Sequence, residues 1–184
     1  MNTELTASAV AAVKEAMHDP QEADALATAP RLRAAVGHAT PEDLKALKPL
    51  QRFLVMEVSP NTSLPSEEVA EAYCAALSQL PSDWWGSHGA LESIAAERLI
   101  AMPGRAVDRC LMQALKETTE LSYLGDGESN TEALDWGLTV ADLAAEFLAR
   151  RHDLPWDGLE PDPDVRAKAR EVLRRALVSK DSNP

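Results

Sequence analysis

The four histidines are the first candidates for catalytic or metal-binding residues in this chain, but their spacing matches no common catalytic or metal site. His18, His38, His88 and His152 are too far apart for any two to share one turn of a helix as metal ligands. The sequence also contains no glycine-rich phosphate loop, no nucleophile elbow and no HExxH pair. We therefore expect no catalytic residue, no metal ion and no cofactor. The histidines are expected to cap helices or to face water.

The segment DGESNTEALDWG, residues 126–137, is a weak imitation of a calcium-binding loop. Such a loop needs glycine at its sixth position, for a sharp turn, and a bidentate glutamate at its twelfth. Here these positions hold Thr131 and Gly137. The sequence therefore does not predict calcium binding.

Acidic side chains are concentrated in one span of the sequence. Residues 117–149 contain eight of them and no Lys or Arg, in a chain whose formal net charge is −12. The span includes a tryptophan, and an aromatic side chain among charges is typical of a protein-binding hot spot. A solvated acidic loop is the alternative interpretation. We predict a docking surface for a basic protein, formed by Glu117, Glu120, Asp126, Glu128, Glu132, Asp135, Trp136 and Asp142.

Composition excludes some classes of partner. Nucleic-acid binding takes most of its affinity from Lys and Arg on phosphates, so direct binding is not expected at a net charge of −12. No apolar run approaches the roughly 20 residues of a membrane span, and the first residues lack the basic start of a signal peptide. We therefore expect a cytoplasmic protein. Cys74 and Cys110 are expected to be reduced core residues, and a disulfide between them is the alternative.

The elements that must position these residues are predicted to be helices. Apolar residues recur at steps of three and four, and no run of alternating β-branched and aromatic residues is long enough for a sheet. The clearest case is Leu91 to Leu121, two amphipathic patterns joined by Pro103-Gly104, with Pro103 placed to start the second helix. This hairpin cannot bury its apolar face alone, so neighbouring helices must cover it.

Helical patterns also cover residues 3–17, 20–38 in two pieces, 41–58 with a break at Pro49, and 66–80. Another begins at Thr131 or Thr139 and ends at His152, and the last spans 164–178. Trp84, Trp85 and Trp156 fall in loops, where we expect them to close the ends of the core. The patterns predict one all-α domain over residues 1–178, most repeat-like over 66–178, and a frayed tail over 179–184.

The C-terminal part carries a more specific pattern. Residues 160–177, EPDPDVRAKAREVLRRAL, contain an Asp-Pro turn, then Val165-Arg166, then apolar residues at helical spacing. This resembles the second half of HEAT-like repeats, the bacterial kind included, and VADLAAEFLARR before it looks like the partner helix. The resemblance covers residues 139–178 well and 90–121 loosely. It implies stacked antiparallel helix hairpins, as a short α-solenoid or compact helical array, with Arg166 in a structural role between neighbouring pairs.

The chain is small, acidic and helical, and its sequence contains no catalytic motif. Together these features suggest a function. These features suit a non-enzymatic, cytosolic protein-binding module, most concretely an immunity- or antitoxin-type inhibitor that occupies a basic partner such as a toxin or nuclease. A HEAT-like scaffold or regulatory adaptor is the alternative, because fold does not fix function. A HEAT-like enzyme of DNA glycosylase type is a remote alternative, since it would need a basic concave face. The partner's identity and the oligomeric state do not follow from the sequence.

Overall fold

A computed structural model describes residues 41–58, 64–86, 91, 93–123, 128–158 and 160–181. Across these residues the regular structure is helical, and the only β pairing is one isolated antiparallel bridge between Glu120 and Thr139. The predicted all-α fold class is confirmed. The helices predicted over 3–17 and 20–38 lie outside the described residues, as do His18, His38 and His88. The chain divides into two compact units, Met1–Ala76 and Leu77–Pro184.

The first unit contains α1 (Pro41–Lys45), α2 (Pro49–Val58) and most of α3 (Ser66–Gln79). Pro49 splits the predicted helix in two and becomes the first residue of α2, where its missing N–H breaks no helical hydrogen bond. The rings of Phe53 and Tyr73 pack edge to face, with centroids 5.0 Å apart. The hydroxyl of Tyr73 donates to the carboxylate of Glu57. Aromatic packing and this hydrogen bond therefore join α2 to α3.

The predicted hairpin opens the second unit as α4 (Ile94–Ala101) and α5 (Arg105–Ala114). Ser93 caps α4, since its Oγ accepts a hydrogen bond of 3.0 Å from the N–H of Ala96. Pro103 does not start α5, contrary to the prediction. Met102 is extended, as a residue before proline usually is, and Gly104 adopts φ +96° before the helix begins.

Three further helices complete the second unit: α6 (Glu128–Asp135), α7 (Val140–His152) and α8 (Pro163–Asp181). The sequence offers Thr131 or Thr139 as the start of one helix; the chain instead forms two, separated by a turn in which Gly137 has φ +59°. A short 3₁₀ helix (Ser82–Trp85) precedes the hairpin. Because α8 continues to Asp181, the first part of the tail expected to fray from residue 179 is helical.

Helix α7 is the centre of the second unit and packs against α4, α5 and α8. Every residue from Val140 to Ala149 is buried. On the hairpin, Leu99, Val107 and Leu111 are fully buried. Helix α7 therefore supplies the cover that the hairpin's apolar face requires.

Two of the loop tryptophans pack as core side chains in different ways. Trp85 is fully buried and meets Phe147 of α7 edge to face, with centroids 5.6 Å apart. Trp156 is half-buried, and its ring lies so close to Gly158 that a Cβ there would be 2.1 Å away. Glycine at 158 is therefore required by the close approach of the indole ring.

Candidate functional site: an acidic surface and a cation-lined cavity

Backbone pairing brings two distant parts of the acidic span together. The N–H of Leu121 donates to the carbonyl of Leu138 at 2.8 Å, and the N–H of Val140 donates to the carbonyl of Thr119 at 2.9 Å. The N–H of Ala141 likewise donates to the carbonyl of Glu117 at 3.1 Å. Residues 117–121 therefore run antiparallel to 138–141, directly beside the turn that ends α6.

This pairing places several predicted docking residues near one another. We define the acidic surface as Glu117, Glu120, Glu132, Asp135 and Trp136. Its four carboxylates are exposed, and Trp136 is half-buried. Leu134 of α6 adds an apolar side chain that is 51 % exposed. Among side chains that the structure describes, none forms an ion pair with these four carboxylates.

Asp142 does not lie on this surface, which corrects its predicted place. It is the third residue of α7, and its Oδ2 accepts hydrogen bonds from the N–H (3.0 Å) and hydroxyl (2.9 Å) of Thr139. Arg166 and Arg170 of α8 both pair with the same carboxylate, which is 2 % exposed. The negative charge of Asp142 at the N-terminus of α7 is thus neutralised by groups inside the protein. Asp142 fastens α7 to α8 and is not accessible to a partner.

The remaining acids of the span differ in their surroundings. Glu146 is buried and pairs with Arg150 one turn later, at 2.9 Å. Asp126 lies outside the described residues. Glu128 begins α6, but its side chain lies outside the described part of the structure. Among the predicted docking acids whose side chains are described, only Asp142 is neutralised by arginines of the same chain.

Arg166 has the structural role expected of it. Its side chain is buried, and Nη1 donates to the carbonyls of Glu160 (2.7 Å) and Pro161 (2.8 Å). Nη2 donates to the carbonyl of Gly137 at 3.2 Å. One guanidinium therefore ties together the turn before α8, the turn after α6 and the first turn of α7. The relationship to HEAT-like repeats stays a prediction.

A second arginine, Arg151, has a side chain only 6 % exposed and stabilises the hairpin. Its Nη1 donates to the carbonyls of Leu99 (2.7 Å) and Ile100 (2.9 Å) in the last turn of α4, and to that of Met102 (2.9 Å) just after the helix. Its Nε donates to Oδ1 of Asp108 on α5 at 2.9 Å. Carbonyls at a helix C-terminus lack partners within the helix, so this side chain caps α4 from α7. Sequence reasoning missed the cap because its partners are 49 to 52 residues away along the chain.

A cavity of about 610 Å³ lies between α5, α7 and α8. Its cationic side chains are Arg105, Arg109 and Lys180, and apolar lining comes from Met112, Leu148 and Leu177. The volume is within the range of roughly 300–1,000 Å³ typical of small-molecule sites. Sequence reasoning also missed this cavity, because its lining is drawn from three helices whose packing no local pattern reveals.

The two cysteines correct another expectation. Neither is free: Cys74 and Cys110 are both disulfide-bonded. The interpretation as reduced core residues is therefore wrong. Disulfides persist mainly in oxidising compartments, so the cysteines give no support to a cytoplasmic location.

Tyr123 lies two residues after the paired segment 117–121 and has a raised pKa. Burial raises its pKa to about 12; a hydrogen bond with Ser82 acts in the opposite direction, and the charges of Asp83 and Glu146 raise the pKa further. The phenol is therefore neutral at physiological pH and resists deprotonation in base.

The described residues contain no group of three His, Cys, Asp or Glu side chains arranged to hold a metal ion. No described helix has the length and apolar character needed to cross a membrane.

No protein-family model, curated protein or solved structure matches the chain. What the protein does must therefore be inferred from the acidic surface and the cavity.

Proposed function

We propose that the chain is a protein-binding module whose acidic surface occupies a basic partner, as an inhibitor of the immunity or antitoxin type. The observation that carries this proposal is the pairing of 117–121 with 138–141, which brings the exposed Glu117 and Glu120 to the segment that directly follows Trp136 and the end of α6. Opposite charge steers encounter, whereas a desolvated aromatic side chain at the centre of an interface slows release. The acidic surface has both components.

Electrostatics favour a basic partner over a neutral one. Exposed carboxylates within about 8 Å, the Debye length at physiological salt, repel one another. Asp142 and Glu146 are relieved of this repulsion by ion pairs with arginines of the same chain. Since the acids of the surface have no such partner among the described side chains, Lys and Arg from another protein would stabilise them on binding.

A toxin or nuclease is the kind of partner proposed, because such proteins are commonly basic where they bind phosphates. A scaffold or regulatory adaptor is the alternative, and it would use the same surface. The identity of the protein captured by the chain separates the two. A glycosylase-type enzyme is the remote alternative, since the formal net charge of −12 disfavours contact with nucleic-acid phosphates.

The cytoplasmic location stays a prediction. Reduced thiols would be expected in that compartment, and the disulfide-bonded cysteines count against it. An inhibitor that meets its partner in an oxidising compartment fits both the acidic surface and the cysteines.

Charge reversal on the acidic surface tests the proposal. The partner is captured from the native lysate, and association rates are measured at two salt concentrations. Glu117→Lys, Glu120→Lys and Glu132→Lys together are expected to slow association at least about tenfold and to flatten its salt dependence. The reason is that steering by opposite charge acts on the encounter rate.

The matched control changes net charge equally at exposed acids elsewhere. Glu97→Lys, Asp157→Lys and Asp164→Lys together are expected to slow association much less. If the two triple variants associate at the same rate, only net charge matters and the acidic surface is not the docking site.

A further inference from the structure

Helix α8 packs on the second unit with one side and exposes a regular stripe of side chains on the other. Arg166, Leu173 and Leu177 are buried and mark the side that faces the core. On the opposite side, exposed residues recur at steps of three and four, so they form one stripe along the helix. We define the outer face of α8 as these residues: Val165, Lys168, Val172 and Arg175. Its two valines are 40 % and 67 % exposed, which is unusual for apolar side chains on a packed helix.

The outer face carries more positive charge than its own helix neutralises. Glu171 accepts hydrogen bonds of 2.8 Å from Nε of Arg174 and from Nε of Arg175, so one carboxylate serves two guanidinium groups. Lys168 adds a third cation, and no described side chain forms an ion pair with it. Three cations therefore stand with one carboxylate along this stretch of the surface.

The acidic surface is the complement of this face in charge and in apolar content. Its four carboxylates are exposed, and Leu134 beside them is 51 % exposed. Each surface thus combines charges of one sign with an exposed apolar side chain. Contact between the two would pair carboxylates with cations and would cover Leu134 with the valines of the outer face.

Both surfaces adjoin one contact within the second unit. Arg166, which stands between Val165 and Lys168 on α8, donates from Nη2 to the carbonyl of Gly137 at 3.2 Å. Gly137 directly follows Trp136 of the acidic surface. Because one chain carries the two surfaces near the same contact, a two-fold rotation can bring the acidic surface of each copy to the outer face of α8 of the other.

The net charge of −12 does not prevent two copies from meeting. At an ionic strength of about 0.15 M the Debye length is about 8 Å, so charges farther apart than this are largely screened. The charges that come into contact therefore decide whether two copies attract, and on these surfaces they are opposite in sign.

We propose that the outer face of α8 docks on a second copy of this chain, in a two-fold dimer in which the acidic surface of each copy contacts the outer face of the other. The contact uses the surface assigned above to a basic partner, so the dimer has to open before such a partner binds. The dimer does not depend on that assignment, because it forms from the chain alone.

Sedimentation of the purified full chain, without any partner, tests the dimer. At about 0.15 M salt and chain concentrations up to about 0.1 mM, the chain is expected to reach the mass of a dimer. In about 1 M salt, where the Debye length is about 3 Å, the dissociation constant is expected to rise at least about tenfold. A chain that stays monomeric at both salt concentrations overturns the dimer and leaves the capture experiment above unaffected. Growth beyond a dimer would contradict the reciprocal arrangement.

Charge reversal on each side locates the contact. One variant carries Glu117→Lys, Glu120→Lys and Glu132→Lys, and the other carries Lys168→Glu and Arg175→Glu. Each variant alone is expected to self-associate at least about tenfold more weakly, because like charges then face each other. An equimolar mixture is expected to regain association, since every reversed surface meets one of opposite charge. Regained association would also show that both variants fold, whereas a mixture that stays monomeric would overturn the contact.

The matched control reverses two exposed cations in the first unit. Lys45→Glu with Lys48→Glu changes the net charge as much as the α8 variant does, but at residues of neither surface. This variant is expected to leave the dissociation constant of the dimer within about twofold, because distant charges are screened. Equal weakening by the control would mean that self-association responds to net charge and not to the outer face of α8.

Discussion

Arg166 and Asp142 form an ion pair in the core of the second unit, with Nε and Oδ2 3.3 Å apart and side chains only 4 % and 2 % exposed. Each partner also bonds to other groups: the aspartate to Thr139 and Arg170, and the arginine to the carbonyls of Glu160, Pro161 and Gly137. Removing one partner would leave the other charged and away from water. The pair is therefore a point at which single substitutions should be costly.

Arg166→Ala is expected to lower the free energy of unfolding by about 3–5 kcal/mol, because it leaves the carboxylate of Asp142 with fewer partners in the core. Urea unfolding followed by circular dichroism measures the effect. Arg175→Ala is the control, since Arg175 lies on the same helix with a side chain 75 % exposed, and it should change stability by less than about 0.5 kcal/mol. An unchanged unfolding midpoint for Arg166→Ala would contradict the structural role.

The same ion pair shows where sequence reasoning succeeded and where it stopped. The structural role of Arg166 was implied by a resemblance, that of Asp-Pro before Val-Arg to HEAT-like repeats. Asp142 was placed on the docking surface because counting charges along the chain does not reveal that two arginines of α8 approach it. Thr139-Val-Ala-Asp142 does have the spacing of a capping box, and that signal could have placed Asp142 at a helix start.

Some helix boundaries could be predicted from the local sequence and others could not. The split at Pro49 was predictable because proline acts on its own helix. The choice between Thr131 and Thr139 was not, since both residues can cap a helix and two helices form. The Arg151 cap and the cavity depend on residues dozens of positions apart, so only tertiary packing reveals them.

Arg151→Met tests the cap on α4. The substitution keeps an unbranched apolar stem but removes the donors to Leu99, Ile100 and Met102, so it is expected to lower the free energy of unfolding by about 1–3 kcal/mol. Thermal melting measures the loss. Lys168→Met, at an exposed position, is the control and should leave the melting temperature nearly unchanged. Equal melting of both variants would show that the cap does not stabilise the hairpin.

Tyr123 predicts a loss of stability in strong base. Its pKa is about 12 in the folded chain, compared with 10.0 for an unperturbed tyrosine. The unfolded chain therefore releases this proton first, and stability that is fully present below pH 10 is lost as the pH rises through about 12. Ultraviolet titration of the Tyr73→Phe variant isolates this phenol, since the chain has two tyrosines. A midpoint near 10 in the folded protein would disagree with the burial of Tyr123.

Trp136→Ala is expected to speed release of the captured partner and to leave the association rate largely unchanged. A hot-spot aromatic typically contributes at least about 2 kcal/mol, which corresponds to roughly 30-fold in the dissociation rate. Surface plasmon resonance separates the two rates. Trp156→Ala is the comparison, because Trp156 is also half-buried but packs on Gly158. Release that is unaffected by Trp136→Ala would remove the tryptophan from the interface.

The disulfide-bonded state of the two cysteines predicts how many free thiols the protein has before and after reduction. Protein purified without reductant should show no reactive thiol after denaturation, and two after reduction, because Cys74 and Cys110 are both disulfide-bonded. A thiol reagent with a coloured product measures this directly. Two free thiols before reduction would contradict the disulfide and would return support to a cytoplasmic location.

The cap that Arg151 places on α4 has a consequence for the newly made chain. Leu99 emerges from the ribosome 52 residues before the side chain that satisfies its carbonyl. At about 5–20 residues per second, that interval is roughly 3–10 s. During this interval the apolar face of the hairpin and the uncapped end of α4 are not yet covered by α7. We therefore expect a chaperone to bind this stretch during synthesis.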